Sequence, residues 1–326
     1  MRSFRPLLGT TLALVTLAGC GTTLVPGAAR KAVANLAAKA DDAWQSYPDQ
    51  PAARNRAAAV PIGFSLFIVG GDGGEQGMQV FHAFDKWTSA PALPTGRKGL
   101  SAVMVPASRV LAVGGKANGH EVGTAELFST DKGSWSTLAP MPTARANAGA
   151  DADGVFAYVA GGCAAEKPLA TVERLDIRDG KWAALPNLGL AREGCVAVRL
   201  GRRMVVIGGK TASGAMTGAV ERYNLEDGGA WAAGASMPTP RAFAGVAVYG
   251  HHAFLLGGLG NNNQELDVVE SYDMSTDTWT KRAPLPQALV GGLGAKLGER
   301  MVVTGGSAAG KSNTHTWGRP FPFPAN

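Results

Sequence analysis

Charge is scarce in this chain: Asp, Glu, Lys and Arg make up 17% of its residues, against about a quarter in an average globular sequence. The formal net charge is only +6, and no basic run is interleaved with aromatics, so the footprint of a nucleic-acid binder is missing. Histidine occurs five times, at His82, His120, His251, His252 and His315, in no spacing that assembles a metal set, and neither metal nor cofactor is expected. The apolar stretch Leu7 to Ala18 is too short to cross a bilayer, which takes about 20 residues in a helix. What the chain has in abundance is glycine. Its 45 glycines in 326 residues are roughly twice average usage, and with 19 prolines they favour many short strands and tight turns over long helices.

The first residues, MRSFRPLLGTTLALVTLAGC, combine a basic start, a short apolar stretch and small residues before Cys20, the layout of a cleaved export signal. The ending Leu17-Ala18-Gly19-Cys20 resembles the lipobox of bacterial lipoproteins. That resemblance implies a signal peptide over 1–19, acylation (palmitate-type) of Cys20, and membrane attachment at the cell envelope. Gly21, rather than Asp, in the second mature position implies the outer membrane where the host has one. Residues 20–40 are small and Ala-rich and read as a tether. Removing Arg2 and Arg5 with the leader leaves a charge of about +4 on the rest, too little to suggest a polyanionic partner.

Six apolar runs end in Gly-Gly: LFIVGG, VLAVGG, AYVAGG, VVIGG, FLLGG and VVTGG, with first glycines at Gly70, Gly114, Gly161, Gly208, Gly257 and Gly305. Their even spacing marks an internal repeat. The repeat also disposes of a motif. Gly305 to Ser312, GGSAAGKS, satisfies the phosphate-loop pattern G-x-x-x-x-G-K-[ST], but it is the sixth member of this series, and the residues after it, NTHTWGRPFPFPAN, do not suit the helix such a loop requires. No nucleotide is expected.

After each Gly-Gly comes a variable loop. A segment such as TAELF, TVERLD, AVERYN or VVESYD follows, with Glu126, Glu173, Glu221 and Glu270, and then a tryptophan: Trp87, Trp135, Trp182, Trp231 and Trp279. Ten residues past each Trp stand Arg97, Arg145, Arg192, Arg241 and, in the fifth case, Leu289. This order resembles the kelch repeat over Trp44 to Trp317. The resemblance implies an all-β fold, a six-bladed kelch-type β-propeller of four-stranded blades. The sixth unit lacks its Trp-bearing strand, while Trp44 stands ten residues before Arg54. The segment around Trp44 is therefore expected to supply the outer strand of the last blade and close the ring. The propeller is placed at 41–318, with a tail at 319–326. The tryptophans are expected to pack between blades, and the glycine pairs to allow close backbone approach or φ > 0.

Function in propellers lives on loops, and the Gly-Gly ends and the Arg positions fall on one face. There, Arg97, Arg145, Arg192 and Arg241, with Lys116, Lys210 and Lys311, either form a basic mouth for an anionic ligand or, for the arginines, pair with the repeat glutamates as part of the scaffold. Asn262, in the polar loop Asn261 to Gln264, is a candidate sugar contact or a solvated loop residue. Cys163 and Cys195 fall near this mouth in adjacent blades, either as a disulfide or as two buried thiols. The leading functional reading is a membrane-anchored module that binds a protein, peptide or glycan; the alternative is a carbohydrate-active enzyme of mutarotase type, which some kelch propellers resemble.

Overall fold

The computed structural model describes residues 43–322; the lipobox, the tether and the last four residues lie outside that range. Six four-stranded antiparallel sheets make a six-bladed β-propeller. Blade 1 is Ala58–Ile62, Ser65–Val69, Met78–His82 and Lys86–Ala90; the next four blades repeat the order, ending with Thr278–Arg282 of blade 5. Blade 6 takes Leu293–Leu297, Arg300–Thr304 and Thr316–Pro320 from the C-terminal end and its fourth strand, Gln45–Tyr47, from the other end of the chain. Ser46 pairs with Trp317, so closure occurs where the sequence placed it. The third strand continues to Pro320, and Arg319 and Phe321 are buried. The ordered blade thus runs beyond the expected boundary at 318 because these side chains have a core to enter.

The pleat explains why the runs before Gly-Gly are apolar throughout. Successive strand residues point to opposite faces, and a blade has a neighbour on each side. In Arg203–Ile207, Val205 and Ile207 pack toward blade 5, whereas Met204 and Val206 pack toward blade 3. The buried apolar residues accordingly form six clusters, one between each adjacent pair of blades, including one between blades 6 and 1. No blade has a core of its own, so the ring is a single unit.

Two repeated contacts join neighbours. The Trp indole donates to a backbone carbonyl just past the previous blade's outer strand: Trp87 to Pro48, Trp135 to Pro91, Trp182 to Ala139, Trp231 to Pro186 and Trp279 to Ala235, at 2.8–3.0 Å. The Gly-Gly pair makes the other joint. The second glycine's N–H donates to the carbonyl at the next blade's Arg position, from Gly115 to Arg145 (2.8 Å) and, across the closure, from Gly306 to Arg54 (2.8 Å). A Cβ on Gly114 would stand 2.6 Å from the Arg145 carbonyl oxygen, and both Gly114 and Gly115 have positive φ, 62° and 104°. Glycine is required there on two independent grounds.

The GGSAAGKS stretch is a two-stranded hairpin, Ser307–Ala308 against Lys311–Ser312. It presents no helix N-terminus to a phosphate.

Candidate functional site

The repeat arginines do not line the mouth. Arg97, Arg145, Arg192 and Arg241 are 0–1% exposed, and each is paired with the glutamate on the third strand of its own blade. Arg145 Nη2 lies 2.8 Å from Glu173 Oε2, Arg192 Nη2 2.5 Å from Glu221 Oε1, Arg241 Nη1 2.6 Å from Glu270 Oε2, and Arg97 pairs with Glu126. Arg145 also donates to the carbonyls of Gly161 and Thr171, while Glu173 accepts from Thr143 Oγ1 at 2.8 Å. Burial lowers the pKa of Arg97, Arg145 and Arg241, partly offset by the facing glutamate. Of the two readings open from the sequence, the structure has the second for all four: they tie the strand entrance to the third strand inside each blade, with their charge balanced by a buried carboxylate.

Blades 1 and 6 vary this device. Blade 1 has Arg54 but Gln79 at the glutamate position, and Arg54 donates to the Gly74 carbonyl. In blade 6 the positions hold Leu289 and Trp317, both buried in one apolar cluster. The Gly305 carbonyl, equivalent to the Gly161 carbonyl bound by Arg145, is bound instead by Asn313 Nδ2 at 3.1 Å.

Lys116 and Lys210 do reach the mouth, but their charge is balanced by Glu121 (3.4 Å) and Glu193 (3.9 Å). Lys98 and Arg56 share Asp72 at 2.8 and 3.0 Å. Instead of a basic ring, the mouth carries a mixed set of paired charges over blades 1 to 4. Asn262 sits on an exposed turn, Asn261–Asn263, whose neighbour Asn261 accepts from the Met216 N–H at 3.1 Å; this loop braces blade 4, and Asn262 does not line the axial pockets. Lys311 is exposed on the blade 6 hairpin.

Cys163 and Cys195 are free, buried thiols, the second of the two states open from the sequence. Their side chains have separate partners: Cys195 Sγ donates to the Ala160 carbonyl at 3.6 Å, deep between blades 3 and 4, while Cys163 Sγ lies 3.7 Å from Asn147 Nδ2 at the mouth. Burial, then the Glu193 carboxylate, pushes the Cys163 thiol up to about 12, and burial raises Cys195. Both should therefore stay protonated and unreactive near neutrality. In the chain from Asp41, a disulfide-exchange reagent at pH 8 should find no fast thiol in the native state and two after denaturation without reductant; fewer than two after denaturation would restore the disulfide.

The mouth opens onto the propeller axis. The first strand of each sheet has a partner on one side only, so its other edge faces a channel of about 420 Å³. Ala58, Ala102, Ala150, Ala197 and Gly245 are among its lining, and among the described residues Arg56 and Cys195 are the only ionisable groups there. A second cavity of about 350 Å³ adjoins it and shares Arg56, Gly99 and Asn147 with it.

Between channel and rim lies a belt that sequence reading missed. Two residues past each Arg position stand Arg56, Gly99, Asn147, Gly194, Phe243 and Gly291, all with φ between 54° and 65°. Gly99 N–H donates to Arg56, Asn147 to Gly99, Gly194 to Asn147, Phe243 to Gly194 and Gly291 to Phe243, at 2.7–2.8 Å. Side chains and glycines alternate around the ring, and the alternation is steric: a Cβ on Gly99 would lie 2.6 Å from Asn147 Oδ1, and one on Gly194 2.7 Å from the Phe243 ring. Three blades therefore present a guanidinium, an amide and a phenyl ring toward the axis. Holding Arg56 and Phe243 left-handed costs on the order of 1–3 kcal/mol each. The signal was present in the sequence as R-N-R, R-K-G, R-A-N, R-E-G, R-A-F and L-V-G.

The kelch motif matches residues 157–189 and 240–286, within blades 3 and 5. Among curated proteins, the chain is 33% identical over 172 residues to Kelch domain-containing protein 8B of Rattus norvegicus, covering 48% of each. It is 32% identical over 150 residues to Kelch-like protein 34 of Homo sapiens, covering 42% of this chain and 23% of that one. The chain thus spans about half or less of the length of these relatives. A solved structure titled "Structure of YjhT" superposes with a TM-score of 0.72 at 16% identity, covering 83% of this chain and 95% of that one; at that identity it speaks for the propeller fold alone.

Proposed function

We propose that this kelch propeller is a lipid-anchored binding module of the bacterial cell envelope that receives a protein, peptide or glycan partner at its axial mouth. The observation that carries the reading is the continuity of a polar rim with an apolar channel, the arrangement of a ligand site with a few placed polar groups over an apolar floor. The anchor reading rests on the Leu17–Cys20 motif. A sugar-converting enzyme would need a placed acid and base; among the described residues the channel lining has Arg56 and Cys195 as its ionisable groups, while the adjoining cavity is lined by Glu121, Glu166 and Glu193 with Lys98, Lys116 and Lys210, so sugar conversion stands beside binding as the second reading.

To test the module, the soluble chain from Asp41 is immobilised and offered envelope proteins and a glycan array, beside an Ala150→Trp variant that fills the channel. A partner retained by the parent, lost by Ala150→Trp and kept by Asn262→Ala is expected; equal retention by all three would reject the mouth. For the anchor, Cys20→Ser in the full chain should abolish acyl labelling and release the protein from the membrane fraction.

A further inference from the structure

We infer that the axial mouth is selective for a large apolar side chain, aromatic or long aliphatic, presented on an extended peptide, and that Phe243 and Asn147 are its specificity-determining residues. The inference rests on the reading of the mouth as a binding site and names what enters it. Four observations support it.

Most charges of the rim are already engaged, Arg56 and Lys98 with Asp72, Lys116 with Glu121 and Lys210 with Glu193, and Glu166 adds an exposed carboxylate. Beneath the rim, the channel walls are mostly Ala, Gly and Val. The rim itself is lopsided. Each residue following an Arg position bridges the residue after the Gly-Gly of its blade; blades 1, 2 and 4 pair Asn55 with Asp72, Lys98 with Lys116 and Glu193 with Lys210, whereas blade 3 pairs Ala146 with Cys163, blade 6 Val290 with Ser307, and blade 5 has the most apolar pair, Ala242 with Leu259. Phe243 stands on that apolar side, with its ring lying over Gly194.

The strongest observation is conformational. A phenylalanine at φ 55° occupies a position that three of the other five blades give to glycine, the residue that suits it without strain. Apart from its contact with Gly194, the ring belongs to none of the six apolar clusters; Phe243 is half-buried and borders the channel. Strain kept at the mouth of a cavity is characteristic of a recognition element. Asn147 supplies the complementary function: its amide, held by Glu193 at 3.0 Å, stands two blades away, where it can meet a peptide group. The unpaired edges of the first strands offer further backbone partners to an inserted segment.

The test is a titration of the soluble chain with the series Ac-Gly-X-Gly-NH2, X being Trp, Phe, Leu, Ala, Glu or Lys, and with methyl glucoside, followed by chemical shifts of mouth amides. Trp and Phe peptides are expected to bind at least tenfold more tightly than the Ala, Glu and Lys peptides. Phe243→Gly should lower that affinity about tenfold, while its unfolding midpoint stays within about 3 °C of the parent or rises, because relieved backbone strain offsets the lost ring contact. A ring that serves only packing would give the opposite pair of results, and that would overturn the inference. Preference for Glu or Lys, or for the glycoside over every peptide, would also overturn it while leaving the mouth as a binding site. Shifts at the mouth with none of these ligands would remove both readings.

Discussion

Replacing Glu173 by Ala is expected to destabilise the propeller by about 3–5 kcal/mol, the usual cost of leaving a buried charge without its partner. Arg145 would remain fully buried beside the carbonyls of Gly161 and Thr171, which satisfy hydrogen bonds but not charge. The midpoint of thermal unfolding should drop by roughly 5–15 °C for a ring of this size. The fold already contains the compensating change, since blade 6 places Leu289 and Trp317 where the other blades place Arg and Glu. The double variant Arg145→Leu/Glu173→Trp should therefore cost less than the sum of its single changes, with a coupling of about 2–3 kcal/mol. Recovery should be incomplete, because blade 3 has no counterpart to Asn313 to bind the orphaned Gly161 carbonyl. Additive costs, or a Glu173→Ala protein as stable as the parent, would mean that the pair is not a structural unit.

A chain beginning at Gln50 is expected to lose at least about 10 °C of thermal stability and to self-associate. Four contacts disappear together. The strand Thr316–Pro320 loses its outer partner and becomes an exposed edge. Tyr47 leaves the cluster between blades 6 and 1, where its ring lies 5.1 Å from Phe84 and 6.1 Å from Phe81. Trp44 leaves the cluster between blades 5 and 6, and the Trp87 indole loses the Pro48 carbonyl. Burial of two aromatic side chains stabilises by a few kcal/mol. Adding a synthetic peptide of residues 41–50 should restore much of the loss by strand addition. A shortened chain that stays monomeric and unfolds within 2 °C of the parent would contradict the closure.

The spacing of Gly-Gly, Glu, Trp and Arg made the wheel legible because each mark answers a contact that every blade must make. The same regularity concealed the site. The recurrence of Arg and Glu in the repeat offered a scaffold pair beside a basic mouth, and the burial of Arg145 against Glu173 decides for the pair, whereas nothing in the repeat pointed to the partners of Lys116 and Lys210. The two cysteines were correctly brought toward one mouth, but strand pleat decides where each thiol points, and it gives Cys195 to Ala160 and Cys163 to Asn147. Phe243 escaped notice because its meaning lies in a departure: one bulky residue where three other blades have glycine, detectable only when the six copies are superposed on their Arg positions and the shared left-handed backbone is known.

The ring exists only if the two ends of the chain meet in one blade, and peptide-resolved hydrogen exchange of residues 43–49 measures that directly. The account predicts amides in Gln45–Tyr47 protected over the same hours as those of Thr316–Pro320. Exchange of the whole 43–49 segment within seconds, beside a protected Thr316–Pro320, would contradict it.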